Sequence, residues 1–258
     1  MKYYLKSLSM HFKTDMEYKK SFIMAFIAQI FVLFSNYFII IALFSKFNNI
    51  KGFTLYEVML CYGIIQFGFS INETFFRGVD KFEDLIIDGS YDRLLVRPRS
   101  IMLQIICSKA DLVKLSRLIQ TIIILVISIV NLHLSLTLPR VLTLIFMLMG
   151  SVMIFSAIFL IAASYCFLTV QGLEIKNLIC DGGKHMAQYP IGVFKKPVVF
   201  IFTFLIPYGC VNYYPLLYLL GKSNNIFYML SPFTVIIFCI FAVLLFRRGQ
   251  KRYVSVGS

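Results

Sequence analysis

Residues 77–114 read RGVDKFEDLIIDGSYDRLLVRPRSIMLQIICSKADLVK, and no other long charged stretch interrupts a chain that is otherwise mostly apolar. Six of the 12 acidic residues and seven of the 25 basic ones fall inside it. The sequence on either side has the composition of lipid-embedded helices. A polar platform of this length between two membrane segments lies in water, so its reading decides the fold class and raises the question of what it meets there.

Around the platform the chain is too apolar for a soluble domain. It has 258 residues, 59% hydrophobic and 14% charged, with a mean hydropathy of +0.83, against about 25% charged residues in soluble proteins. Five uncharged windows reach 18 residues or more, and about 20 helical residues cross a hydrocarbon core about 30 Å thick. On the N-terminal side of the platform, a weaker span at 53–76 has only 15 uncharged residues between Glu57 and Glu73. Its Gln66 and Asn72 predict a helix inside the bundle, because polar groups at that depth face protein or water. Gly63 and Gly68 let a neighbouring helix come close. A span at 21–45 precedes it. At 1–20, Leu5, Leu8, Phe12 and Met16 recur at helical spacing, the pattern of an interfacial helix on the membrane surface.

On the C-terminal side the windows predict spans at 118–139 and 141–161, then a second polar stretch at 174–196. That stretch is broken by Asp181-Gly182-Gly183 and by Tyr189-Pro190. A crossing at 197–210 and a last span at 226–246 follow. Pro207 and Pro215 interrupt the apolar run between them, so 212–221 is expected to dip into the outer side and return. Irregular backbone at that depth needs protein or a cavity beside it. The expected fold is an all-α integral membrane protein with six transmembrane helices.

Lys and Arg collect in cytoplasmic segments. Here 21 of the 25 lie in 1–20, 77–117, 174–196 and 247–258, leaving Lys46, Lys51, Arg140 and Lys222 outside. Both termini are therefore expected in the cytoplasm. The net charge of +13 does not indicate nucleic acid, since the basic residues punctuate membrane segments and do not share one soluble face. The six Cys form no CxxC pair and the three His are far apart, so neither a metal site nor a disulfide framework is indicated. Gly221-Lys222-Ser223 ends like a phosphate-binding loop but lacks the preceding strand and first Gly.

Within the platform, Val79, Phe82, Leu85 and Ile86 recur at helical spacing and Asp88-Gly89 offers a stop. Pro98 suits the first turn of the next helix. Residues 89–98, Gly-Ser-Tyr-Asp-Arg-Leu-Leu-Val-Arg-Pro, resemble the G-x-x-D-x-L-L-x-R-P signature of type-2 ABC exporter permeases, six-span proteins of roughly this length. The likeness extends to Tyr189-Pro190, Ile206-Pro207 and Asn212-Tyr213-Tyr214-Pro215.

That resemblance implies a permease subunit in a bacterial cytoplasmic membrane, with no catalysis or cofactor of its own. It also implies a separate ABC ATPase subunit, in two copies, which holds ATP and Mg, and a second permease chain, the same or paralogous. A coupling helix at Val79–Asp88 would dock on the ATPase through Phe82, Leu85 and Ile86, with Gly89, the Asp92/Arg97 pair and Pro98 shaping the turn. Asn212, Tyr213, Tyr214 and Pro215 would close the outer end of the pathway. A membrane-embedded lipid-modifying enzyme would gather His or Asp residues for acid–base or metal work. A secondary transporter would need ionisable residues at mid-membrane.

Overall fold

The computed structural model describes residues 2–47, 49–135, 137–169 and 177–254. They form helices and turns, and the one β feature among them is an isolated bridge between Ile50 and Phe53. Helix α1 (Lys2–Glu17) and α2 (Lys19–Lys46) are followed by α3 (Leu55–Phe75). The platform folds as α4 (Arg77–Asp80), α5 (Phe82–Ile87), α6 (Ser90–Leu95) and α7 (Ile101–Ser108). Then come α8 (Leu115–Asn131) and α9 (Leu138–Cys166).

Four helical stretches are long and apolar enough to cross a membrane: Lys19–Lys46, Leu112–Asn131, Leu138–Cys166 and Ile226–Lys251. A bent pair, Lys196–Leu205 and Gly209–Leu219, adds a fifth if it is one span. The chain is thus a multi-span, all-α integral membrane protein.

Helix α3 is the buried axis. Thr54 and Glu57 close a capping box at its start, satisfying two orphan backbone donors, and almost every later residue is enclosed. A Cβ added at Gly68 would sit 2.3 Å from the backbone of Ser151 in α9, so the small residue is what lets the two helices touch. Asn72 staples the same pair. Its amide donates to the carbonyl of Val152 at 2.9 Å and its oxygen accepts from Ser156 at 2.6 Å. Lipid is as apolar as the helices, so close packing and such bonds hold a bundle together where the hydrophobic effect cannot.

Two apolar clusters fill the bundle. One joins Phe82, Tyr91 and Ile105 of the platform to Phe155 and Phe159 of α9 and to Phe246. The other, at the far end, gathers Phe53, Met59, Tyr62, Leu125, Met147, Leu216 and Leu219.

Several boundaries differ from the expectation. The span expected at 118–139 ends as α8 at Asn131, where the chain turns through His133 at φ 45°. Helix α9 starts at Leu138 with Pro139 in its first turn and runs on to Cys166, beyond the 141–161 expected. The helix expected to run unbroken over Val79–Asp88 is two, divided at Lys81.

The largest correction concerns 174–210. Its described part runs as a π-helical turn Asn177–Gly182, then α10 (Gly183–Ala187), then a 3-10 turn Ile191–Val193. These residues climb alongside α3 in the opposite sense. Lys184 lies over the ring of Phe69, Ala187 is linked through Asn212 to Cys61, and the carbonyl of Val193 accepts from Lys51 at 2.8 Å. The stretch therefore ends beside the 46–52 turn and not on the opposite face. Residues 197–210 are correspondingly no straight crossing. Helix α11 (Lys196–Leu205) stops at Ile206-Pro207, and α12 (Gly209–Leu219) leaves at 91°, because proline cannot donate and its ring displaces the preceding turn. Finally α13 (Ile226–Lys251) returns toward the platform through a 3-10 stretch at Ser231–Thr234.

Candidate functional site

At the platform end the bundle closes with ions. Glu73, at the last turn of α3, is bonded to Arg117 and lies 3.3 Å from Arg77, which reaches Asp80 at 2.6 Å. Arg117 also donates to Gln29 of α2 at 2.8 Å. These side chains are mostly enclosed, so removing one member leaves an uncompensated charge.

The platform hangs from this knot, and the apolar residues expected to dock mostly face inward. Phe82 is 1% exposed and Ile86 2%, and Leu85 is half-buried. Phe82 meets Tyr91, Phe167 and Phe246 edge to face, with centroids 5.0–5.7 Å apart. Tyr253 meets Tyr91 edge to face as well, with centroids 4.9 Å apart. Burial pushes the Tyr91 phenol well above its ordinary pKa. The exposed docking stripe expected from Phe82, Leu85 and Ile86 is thus mainly an internal anchor.

What faces outward is the tip. Ile87 is exposed, as are Asp84 and Asp88, and Gly89 turns the chain at φ 65°, a conformation that other residues rarely adopt. Asp88 accepts from the backbone N–H of Ser90 at 3.1 Å. Asp92 is half-buried, while Arg97 and Pro98 are exposed beside Val96, which is 84% accessible. Gln104 holds this second tip by donating to the carbonyls of Leu94 and Arg99, each at 3.1 Å.

At the far end, Lys222 bridges the Gly52 carbonyl at 2.9 Å and the Glu57 carboxylate at 2.8 Å, above the ring of Phe53. Both acidic residues of α3 are therefore neutralised at its two ends. Of the residues expected to form an outer gate, Asn212 and Pro215 are buried and Tyr213 and Tyr214 half-buried. Asn212 binds the carbonyls of Ala187 and Cys61, so it fastens the bent pair to its neighbours. Tyr214 shares a 3.3 Å hydrogen bond with Thr203, across the bend, and packs on Tyr228.

The sequence reading missed Asp181 and Lys184, which it left in a polar loop. Lys184 is buried, with its ammonium 3.0 Å from Asp181 and 3.8 Å from the Phe69 centroid. Their i, i+3 spacing was visible, but Gly182-Gly183 between them reads as a turn. Among the described residues no three His, Cys, Asp or Glu side chains are grouped to hold a metal ion.

Residues 30–257 match the family model described as ABC-2 family transporter protein. No curated protein and no solved structure matches.

Proposed function

The chain belongs to the ABC-2 family of transporter proteins, and from that premise we propose that it is the transmembrane permease subunit of an ABC exporter, powered by a separate ATPase. Family membership over nearly the whole chain carries this reading. The platform supports it: a compact water-facing body, rooted in the bundle through Phe82 and Ile86, that offers Ile87, Asp88 and Gly89 at its tip. In this reading a pair of ATPases holds ATP and Mg, and a second permease copy or paralogue completes the pathway. The chain itself is no enzyme.

The six crossings are then α2, α3, α8, α9, the climbing stretch that ends at Val193, and α13. Helices α11 and α12 form a hairpin that enters from the outer side and returns. Both termini and the platform lie in the cytoplasm of a bacterial cell, with α1 along the inner interface. The test is copurification. The tagged chain, expressed with candidate ATPases from neighbouring genes, should retain one of them and support ATP-dependent export. Retention of none, with the chain intact in the membrane, would overturn the reading.

Asp181 and Lys184 inside the bundle favour a second reading, an ion-coupled secondary transporter. Transport that persists without ATPase and ATP but collapses with the proton gradient would select it.

A further inference from the structure

Lys184 lies against Phe69, four residues beyond Ile65 at the centre of α3 (Leu55–Phe75). That is about 6 Å from the helix midpoint; in the topology proposed above, where α3 crosses, this lies well inside a hydrocarbon core about 15 Å deep on each side. Its carboxylate partner Asp181 is only half enclosed, with 49% of the side chain accessible, against 10% for Lys184. Asn177 and His185, one helical step to either side of Asp181, are exposed on the outside of the bundle. Lipid does not accept such a row of polar groups, which at this depth faces protein or water. The row sits partly on a π-helical turn, a geometry common at functional positions.

A second observation points to the same place. Tyr208, at the bend between α11 and α12, is fully buried, and its hydroxyl finds no hydrogen-bond partner among the described residues. Its ring and hydroxyl lie against Gly183, where an added Cβ would come within 2.9 and 3.3 Å of them. A buried hydroxyl left without a partner is costly. The hairpin bend thus aims an unused donor and acceptor at the turn that holds Asp181 and Lys184.

We infer that Asp181, backed by Lys184 and Tyr208, is a mid-membrane station for a passenger bearing an amine or other cationic head group. The charge order decides the sign. Lys184 is covered by the Phe69 ring on one side and Asp181 on another, so the group presented to a passenger is the carboxylate. A charge-assisted N–H···O bond formed there, away from bulk water, is among the stronger ones available. Lys184 keeps its 3.0 Å contact to Oδ1 of Asp181, and the accessible part of that carboxylate is left for the amine.

This inference rests on the export reading but is tested without it. The full-length chain in phosphatidylcholine nanodiscs is titrated with a dansyl-labelled long-chain primary amine, with its N-acetylated neutral analogue, and with a dansyl-labelled fatty acid, each corrected against empty discs. Saturable binding of the amine is expected. Asp181→Asn should weaken it about tenfold or more while leaving the neutral analogue unaffected. Lys184→Gln, which removes the competing ammonium, should tighten it severalfold, and Tyr208→Phe should loosen it severalfold. Asp181→Asn is nearly isosteric, and retention of the wild-type elution profile shows that the variant is folded. Equal affinity of wild type and Asp181→Asn for the amine would overturn the station. So would preferred binding of the fatty acid that is lost in Lys184→Gln. Copurification with the ATPase decides the export reading independently.

Discussion

The ammonium of Lys51 donates to the carbonyl of Val193 at 2.8 Å across 142 residues of sequence. Lys222, at the other end of the bent pair, donates to Gly52. The two ends of the 193–222 segment are therefore pinned to one turn, which supports the proposed hairpin over a crossing. Cysteines placed at Lys195 and Asn224, in a background without the six native Cys, should react with an impermeant thiol reagent on intact cells. A cysteine at Val96 should react only after permeabilisation. Opposite labelling of 195 and 224 would make the bent pair a span.

The proposed docking role and the anchoring role can be separated at the tip of the platform. Ile87→Asp should abolish copurification of the ATPase without changing the thermal stability of the chain, since Ile87 is 58% exposed. Phe82→Ala removes a ring packed on three others and should cost about 3–5 kcal/mol, read as a lower unfolding temperature in detergent. Ile87→Asp with undiminished copurification would remove the tip from the interface.

Glu73 serves two guanidiniums, Arg77 and Arg117. Glu73→Gln leaves both under-compensated and should destabilise by about 3 kcal/mol, whereas Arg117→Met leaves Glu73 with Arg77 and should cost less. The comparison is made by chemical or thermal unfolding. Equal losses would mean that the knot does not act as a unit.

Asn72→Leu removes the two bonds between α3 and α9 and should cost about 1–2 kcal/mol, in the upper range for polar contacts inside membranes. Ser156→Ala removes one of the two and should cost roughly half. A double variant no worse than Asn72→Leu alone would confirm that they share the bond.

Tyr213→Ala combined with Tyr214→Ala should lower export more than it lowers assembly with the ATPase, because the rings bridge Phe53, Thr203 and Tyr228 around the hairpin. Asn212→Ala should instead impair folding, since its amide fastens Ala187 and Cys61. Normal transport by the tyrosine double variant would leave the hairpin a plug.

Charge-free length made the helices α2, α9 and α13 legible, and the polar residues of α3 foretold its burial. Length and charge did not reveal direction. The 174–196 stretch carries Lys184, Lys195 and Lys196 and so counts as cytoplasmic, yet Lys184 hides its charge on Asp181 and Phe69, and Val193 is tied to the far turn. The platform's apolar spacing pointed to helix, although the structure divides Val79 from Phe82, Leu85 and Ile86 at Lys81, and spacing cannot say what covers an apolar face. The cover comes from Phe167, Phe246 and Tyr253, residues distant in sequence.

That last dependence sets an order in time. A ribosome makes Phe82 and Tyr91 early, but the rings that enclose them belong to the end of α9, the end of α13 and the C-terminal tail. At about 5–20 residues per second, the face of α5 stays open for roughly 10 to 30 s, until Tyr253 is made. We expect the proposed ATPase partner to meet a finished platform only after Tyr253 is made. A chain truncated before Phe246 should then be inserted without recruiting that partner, and a nascent chain stalled on the ribosome should recruit it only when an added C-terminal linker lets Tyr253 clear the exit tunnel.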